Sequence, residues 1–311
     1  MNGCLGQGSM HRFSDGNDGI GGGQPGLASG RTRPSVTMTR RRAAAAILAS
    51  GAAVASGCTG NNGEGRSAAM SQQSPLPEQL NPDGSLILPH GQPRRANGRT
   101  PATADSTAIS KHLVRHLGPL RSILPDKTPN FVRLDIVTLD PLPHRPVRTF
   151  VTSGMRALPM RPLRKEDGPP YAELMIALPA RLPADPSYDE RLYWPVRMLE
   201  ALARLPSDHN TWLEPGHTVT NGNPAQSYST SVGFTAAVIL AADDLPQAFS
   251  PVYLDGKEVS FFYAYPLYPE ELEYKLTHGL DALLDRLATI GVGVTPPIKE
   301  GRPNSCAVTT I

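Results

Sequence analysis

The chain has 311 residues, 30 basic against 28 acidic side chains, and a formal net charge of +2. That balance, with no basic stripe interleaved with aromatics, argues against nucleic acid as a partner. Only three cysteines occur, Cys4, Cys58 and Cys306, so a fold of this size must rest on its core and not on disulfides.

Residues 1–37 are glycine-rich and poor in apolar side chains. Such a stretch cannot bury enough surface to offset its ordering entropy, so it is expected to be disordered or untranslated. Arg40-Arg41-Arg42 then precedes an apolar run, Ala43 to Ala55, that ends in Ala55-Ser56-Gly57-Cys58. A positive cluster, a short apolar core and small residues make a secretory signal over residues 38–58. The run is too short to span a bilayer, which takes roughly 20 apolar residues. Cys58 after small residues resembles the bacterial lipoprotein box, in which the cysteine is acylated and becomes the new N-terminus. Ala55 stands where that box usually has leucine. Thr39-Arg40-Arg41-Arg42 is similar to a twin-arginine export signal but lacks its Phe-Leu continuation. Met38 directly precedes it, so translation is expected to start there. The competing reading is an alanine-rich low-complexity stretch that ends near a cysteine by chance. Residues 59–105, rich in Asn, Gly, Ser, Gln and Pro, read as a tether.

About two hundred residues remain, 106–311, which is one globular domain by length and enough for a sizeable core. Ile109, Leu113, Leu117 and Leu120 mark a first helix that ends between Gly118 and Pro125. Phe131 to Leu139 alternates as a half-buried strand. Arg148 to Thr152 and Tyr171 to Leu178 read as two further strands. Pro195 opens a helix carrying Val196, Leu199, Leu202 and Leu205. His217 to Asn221 is strand-like, and Gly233 to Ala242 is an apolar run suited to a central strand. Pro251–Leu254, Asp255-Gly256 and Lys257–Tyr265 read as a hairpin with Asp-Gly at its turn. Pro266 and Pro269 are expected to stop that strand and start a helix. Glu270, Glu271 and Glu273 then lie where the helix dipole favours negative charge. Leu272, Leu276, Leu280, Leu283, Leu287 and Ile290 form one apolar helical face, which Gly279 kinks or splits. Strands and helices mix without strict βαβ alternation. The expected class is α+β, a mixed and mainly antiparallel sheet with helices packed on it. Leu283 and Leu287 should be buried against the sheet that holds Val259 and Phe261.

No catalytic motif stands out: there is no Gly-x-Ser-x-Gly elbow, no His-Glu-x-x-His and no Walker-type loop. His112 and His116, four apart on the first helix, have metal-ligand spacing but no third ligand, so a polar helix face is the better reading and no metal is expected. Ser153 in Thr-Ser-Gly-Met could be a nucleophile, or a turn after an edge strand. Asp208 and His209 could supply a base, or cap the next element. Asp243-Asp244 and Asp281 with Asp285 read as solvated faces, and Cys306 as incidental. The loop from Trp212 to Pro224 is denser in polar and aromatic types. There Trp212, His217, Thr218, Asn221 and Asn223 could form a recognition edge for a protein. Equally, Trp212 could cap the core and His217 bond to backbone.

Five segments taken together resemble the suppressor-of-fused domain family. They are Thr152-Ser153-Gly154-Met155 with Pro159-Met160; Tyr171-Ala172-Glu173-Leu174-Met175-Ile176; and Trp194-Pro195-Val196-Arg197-Met198-Leu199 on to Leu202-Ala203-Arg204. Then come Asn210-Thr211-Trp212 through Gly216-His217-Thr218, and the block Val259–Leu287. The resemblance spans roughly residues 130–305. It implies a non-enzymatic α/β binding domain that needs no cofactor or small-molecule substrate. Eukaryotic members of the family sequester a transcription factor by gripping an extended peptide as an added strand, between this domain and a second one. Bacterial members include immunity proteins that neutralise toxins. The chain reads to Ile311, so the second clamp domain is not expected here. Gly216 stands where eukaryotic members carry an acidic residue before the histidine matching His217, so transcription-factor capture is not expected. The expectation is thus an exported domain, anchored to the membrane through Cys58, that binds a protein partner such as a peptide strand or a toxin. The alternatives are a secreted hydrolase built on Ser153 or Asp208/His209, and a structural cell-envelope lipoprotein.

Overall fold

The computed structural model describes residues 100–162, 168–292 and 297–307, together with Arg95, Asn97, Gly98 and three two-residue strands. Those strands are β1 (Ile47–Leu48), β2 (Gln79–Leu80) and β3 (Leu86–Ile87). The expectations for residues 1–37, for the lipoprotein box and for most of the tether fall outside the described residues.

The fold begins just before the first helix. Ala102 donates to the Phe131 carbonyl and accepts from the Arg133 amide, both at 2.9 Å, as an isolated parallel bridge. Asp105 then caps α1 (Ser106–Leu117) by accepting from the Thr107 amide at 2.8 Å. This hydrogen bond holds the Asp105 carboxyl below its ordinary range. Ile109, Leu113 and Leu117, spaced by four, turn the apolar stripe of α1 inward and are fully buried. Gly118, at φ 132°, ends the helix where a Cβ would overlap the Asp140 carbonyl. Leu120, expected on the helix, lies instead in a strand, β4 (Leu120–Leu124).

The strands β5 (Asp135–Leu139), β6 (Val147–Ser153) and β7 (Ala172–Pro179) follow, with β8 (Thr218–Thr220), β9 (Ala236–Ala241), β10 (Val252–Leu254) and β11 (Lys257–Leu267). The sheet order is β2-β3-β1-β8-β9-β11-β7-β6-β5-β4, with β10 paired to β11. From β8 to β4 every neighbouring pair is antiparallel except β11 with β7. This is the expected mixed, mainly antiparallel sheet. β5 differs from its expectation. Ile136, Val137, Thr138 and Leu139 are all fully buried, so this strand is covered on both faces and not half-solvated. Asp255 (φ 51°) and Gly256 (φ 73°) make the tight turn between β10 and β11, as an Asp-Gly hairpin requires.

α2 (Trp194–His209) carries Pro195 in its first turn, where a missing N–H costs nothing. It ends at Asn210, in the left-handed conformation at φ 58°. The leucine-faced block splits at Gly279 (φ 89°) into α3 (Pro269–His278) and α4 (Leu280–Thr289). Leu283 and Leu287 are fully buried and belong to the same core cluster as Val259 and Phe261, whereas Ile290 at the end of that stripe is 40% exposed.

Two buried ion pairs tie distant segments together. Glu173, at the start of β7, accepts from the Thr152 hydroxyl (2.5 Å), the Gly154 amide (2.9 Å) and the Arg156 guanidinium (3.2 Å). Arg156 also reaches the Asp105 carbonyl and, at 3.2 Å, the Asp255 carboxylate. Burial pushes the Glu173 carboxyl up, against the pull of Arg156. The Gly154-Met155-Arg156 turn is possible only with glycine, because φ is 145° and a Cβ would overlap the Arg133 carbonyl oxygen.

The surroundings of the second pair correct one sequence expectation. Pro266 does not stop its strand: β11 runs through it, with Pro266 opposite Ala237 of β9. Pairing with β7 has already ended at Tyr263, so the side on which proline offers no donor has no ladder to break. On that open side the Pro266 carbonyl accepts from Arg302 Nη2 at 2.9 Å. Glu271 lies in the first turn of α3, where the helix dipole favours negative charge, and it is also fully buried. It reaches back to the Tyr268 amide (3.1 Å) and takes Arg302 in a two-pronged pair at 2.7 and 2.5 Å. It also accepts from the Ser305 amide and hydroxyl, both at 2.9 Å. Phe234, Tyr265 and Tyr268 surround the guanidinium at 5.0–5.2 Å from their ring centres. The Ile298 amide donates to Ala177 of β7 at 2.9 Å. Residues 297–307 are therefore a wedge seated between β7 and β11.

Candidate partner-binding edge

The segment from Asn210 to Gln226 is built by local chemistry. The Asn210 and Thr211 amides both donate to the Pro206 carbonyl, which closes α2. The Arg161 amide donates to the Thr211 carbonyl at 3.0 Å, and the Leu213 amide to Met160 Sδ at 3.4 Å. The chain then turns over Glu214-Pro215-Gly216-His217. The His217 amide donates to the Glu214 carbonyl at 3.1 Å, and Gly216 has φ 98°. Proline second and a positive-φ glycine third is the type II pattern.

Glu214 is the hub of this turn. Its Oε1 accepts from the Trp212 indole at 3.1 Å and lies 3.1 Å from His217 Nε2, though not aligned there for a hydrogen bond. The two rings meet edge to face at 5.3 Å. Trp212 is 5% exposed and His217 and Thr218 are fully buried. Asn221 is half-buried and Asn223 exposed. Of the five residues singled out for recognition, only the two asparagines thus bring a side chain to the surface. Trp212 is packed into the core, as its structural alternative had it, whereas among the described residues neither ring nitrogen of the buried His217 is hydrogen-bonded, so the bond to backbone expected for it is not made.

β8 follows at once and pairs with β9, Thr218 opposite Val238 and Thr220 opposite Ala236. The Ile239 amide donates to His217 and the Asn221 amide to Thr235, both at 2.8 Å. Since main-chain groups alternate sides along a strand, those of Thr218 and Thr220 turn away from β9. β1 lies on that side. Beyond β8, Asn221 Nδ2 donates to the Gln226 carbonyl, whose own amide donates back to Asn221, each at 2.8 Å. This closes an exposed turn at the end of the strand.

The candidate catalytic residues lie elsewhere. Ser153 is inside β6, which runs between β5 and β7 and is not an edge; it stands opposite Asp135 and is 6% exposed. Asp208 accepts from Asn130 Nδ2 at 3.1 Å, and burial pushes its carboxyl up. A cleft of about 230 Å³ opens beside it, lined by Asn130, Phe131, Arg161 and Ser207 among others. His112 Nε2 is bonded to the Phe249 carbonyl at 2.9 Å, and its ring stacks on Phe249 and Phe261. His112 is thus a core-facing residue of α1, and burial holds its pKa down. Among the described residues no group of three or more His, Cys, Asp or Glu side chains could hold a metal ion. Among them too, no helix is long and apolar enough to cross a membrane.

The comparisons agree with the family resemblance. The suppressor of fused protein (SUFU) family model matches residues 131–296, more than half of the chain. The chain therefore belongs to the suppressor of fused family. A suppressor of fused homolog from Neisseria gonorrhoeae is 16% identical, over 65% of this chain and 95% of its own, with a TM-score of 0.43. The Sufu–Fu complex contains a chain 15% identical, over 66% of this chain and 93% of its own, with a TM-score of 0.45. Drosophila Suppressor of Fused is 15% identical, over 55% and 42%, with a TM-score of 0.39. No curated protein matches.

Proposed function

We propose that this suppressor-of-fused domain is a protein-binding module, not an enzyme, and that it grips an extended segment of its partner along β8. One observation carries the reading. The main-chain groups of Thr218 and Thr220 turn away from β9, and on that side, among the described residues, only a two-residue strand, β1, pairs with β8. An edge of this kind gives affinity through backbone hydrogen bonds and selectivity through the side chains around it. Asn221 and Asn223 lie at its end, and the Trp212–Glu214–His217 cluster holds its geometry. The positions of Ser153 and Asp208, one inside a covered strand and the other tied to Asn130, favour binding over hydrolysis.

We propose further that the chain is exported and held at the membrane by a lipid on Cys58, and that it serves there as an immunity protein against a toxin. The signal-like run before Cys58 supports export, and the family resemblance supports the role. Two measurements test these proposals. Cys58→Ala should move the protein from the membrane fraction to the soluble fraction and abolish labelling by a fatty-acid analogue. The wild-type protein, solubilised from membranes, should co-purify with the product of a neighbouring toxin-type gene. Consistent recovery of no protein would count against the binding module itself.

A further inference from the structure

We infer that the chain's own leader covers the β8 edge, so that leader and partner compete for one site. This rests on the reading of β8 as the partner edge. β1 is Ile47–Leu48, from the apolar run that the sequence marks as a signal. It pairs in parallel with β8, Ile47 opposite Thr218 and Leu48 opposite Val219. Its other side pairs in parallel with β3, Ile47 opposite Ile87, and β3 pairs with β2. The register has a consequence. Thr218 turns its N–H and C=O away from β9, toward the side on which β1 lies, and in a parallel ladder the Leu48 N–H is set toward the Thr218 carbonyl. A bare strand edge is a template for unwanted association, and proteins commonly cover such edges. Here the cover is a segment that processing would remove. Hydrolysis of the Gly57–Cys58 peptide bond, with water giving its hydroxyl to the Gly57 carbonyl and its proton to the Cys58 amine, takes Ile47 and Leu48 away with the leader. The partner best suited to the vacated edge has the chemistry of what leaves it, a short apolar segment running parallel to β8.

The test is amide hydrogen exchange on the full chain, read at Thr218. Leu48→Pro removes the donor aimed at the Thr218 carbonyl. Ala53→Pro alters the same leader outside the paired residues. Exchange at Thr218 should be at least tenfold faster in Leu48→Pro than in the wild type, and unchanged in Ala53→Pro. Equal exchange in all three chains, or equal loss of protection in both variants, overturns the inference. Neither result bears on whether β8 binds a partner, which the co-purification decides separately.

Discussion

Replacing Arg302 by methionine should unfold the domain far more easily than a surface change would. Arg302 is 3% exposed, and its removal leaves the fully buried Glu271 carboxylate without its cation. Among the described residues, the Tyr268 and Ser305 donors remain to it. Breaking one side of a buried pair costs about 3–5 kcal/mol, because the surviving charge is stranded in low dielectric. The loss should be at the upper end here. The guanidinium also bonds the Pro266 carbonyl and fills a cage of three aromatic rings. At about 2–4 °C per kcal/mol for a domain of this size, the melting temperature should fall by roughly 6–20 °C. Thermal melts of the full chain followed by circular dichroism provide the measurement, and a fall of under 2 °C would refute the reasoning. Adding Glu271→Met to the variant should restore part of the loss, since replacing both charges by apolar groups removes the stranded carboxylate. A double variant as unstable as the sum of the two single ones would show that the pair is not coupled.

The same pair fixes a pH dependence. Burial alone would push the Glu271 carboxyl up, but the hydrogen bonds and charge of Arg302, with the Ser305 and Tyr268 amides, bring it below its ordinary value of 4.5. A carboxyl with a depressed folded pKa stabilises the fold above its unfolded value and loses that contribution as pH falls through its folded value. The stability gap between the wild type and Arg302→Met should therefore be widest above about pH 5 and narrow on acidification. A gap that widens in acid would contradict the assignment.

Three further outcomes follow from the packing. Leu283→Ala removes a fully buried side chain from α4 and should cost about 2–5 kcal/mol in urea unfolding; an unchanged midpoint would mean that this helix face is misassigned. Gly154→Ala should cost at least about 1–3 kcal/mol, from backbone strain and a clash with Arg133, and a stable variant would remove the argument for glycine there. Glu214→Ala frees the Trp212 indole and the His217 ring, for an expected loss of about 1–3 kcal/mol. Because Glu214 sits just before β8, the same variant should quicken amide exchange at Thr218, and unaltered exchange would dissociate the cluster from the edge.

Much of the fold was legible in short-range pattern. The leucine spacing of α1 and α4, the apolar runs of β7 and β9, the Asp-Gly hairpin and the helix break at Gly279 all follow from local propensities. β4 was not legible, because Leu120-Arg121-Ser122-Ile123-Leu124 has neither period and becomes a strand only against β5. The depth of β5 was hidden for the same kind of reason, since burial on both faces depends on what packs across the sheet. The candidate edge was half legible. The density of Trp212, His217 and the asparagines drew attention to it, but which of them point inward is decided by the type II turn and by Glu214. The pairing of β1 with β8 joins residues some 170 positions apart in the chain, a distance over which no periodicity speaks.

By itself the chain determined where its helices and most of its strands lie, which family it belongs to, and that its front end differs in character from the rest. Those properties are written in neighbours three, four or two residues apart, and in short motifs kept in order. Only the tertiary structure decided how the charges are used. Glu271 meets Arg302 across 31 positions and Glu173 meets Arg156 across 17. In each case a residue that looks solvated in the sequence is buried with its partner, because a charge leaves water only where another group is held in place to receive it.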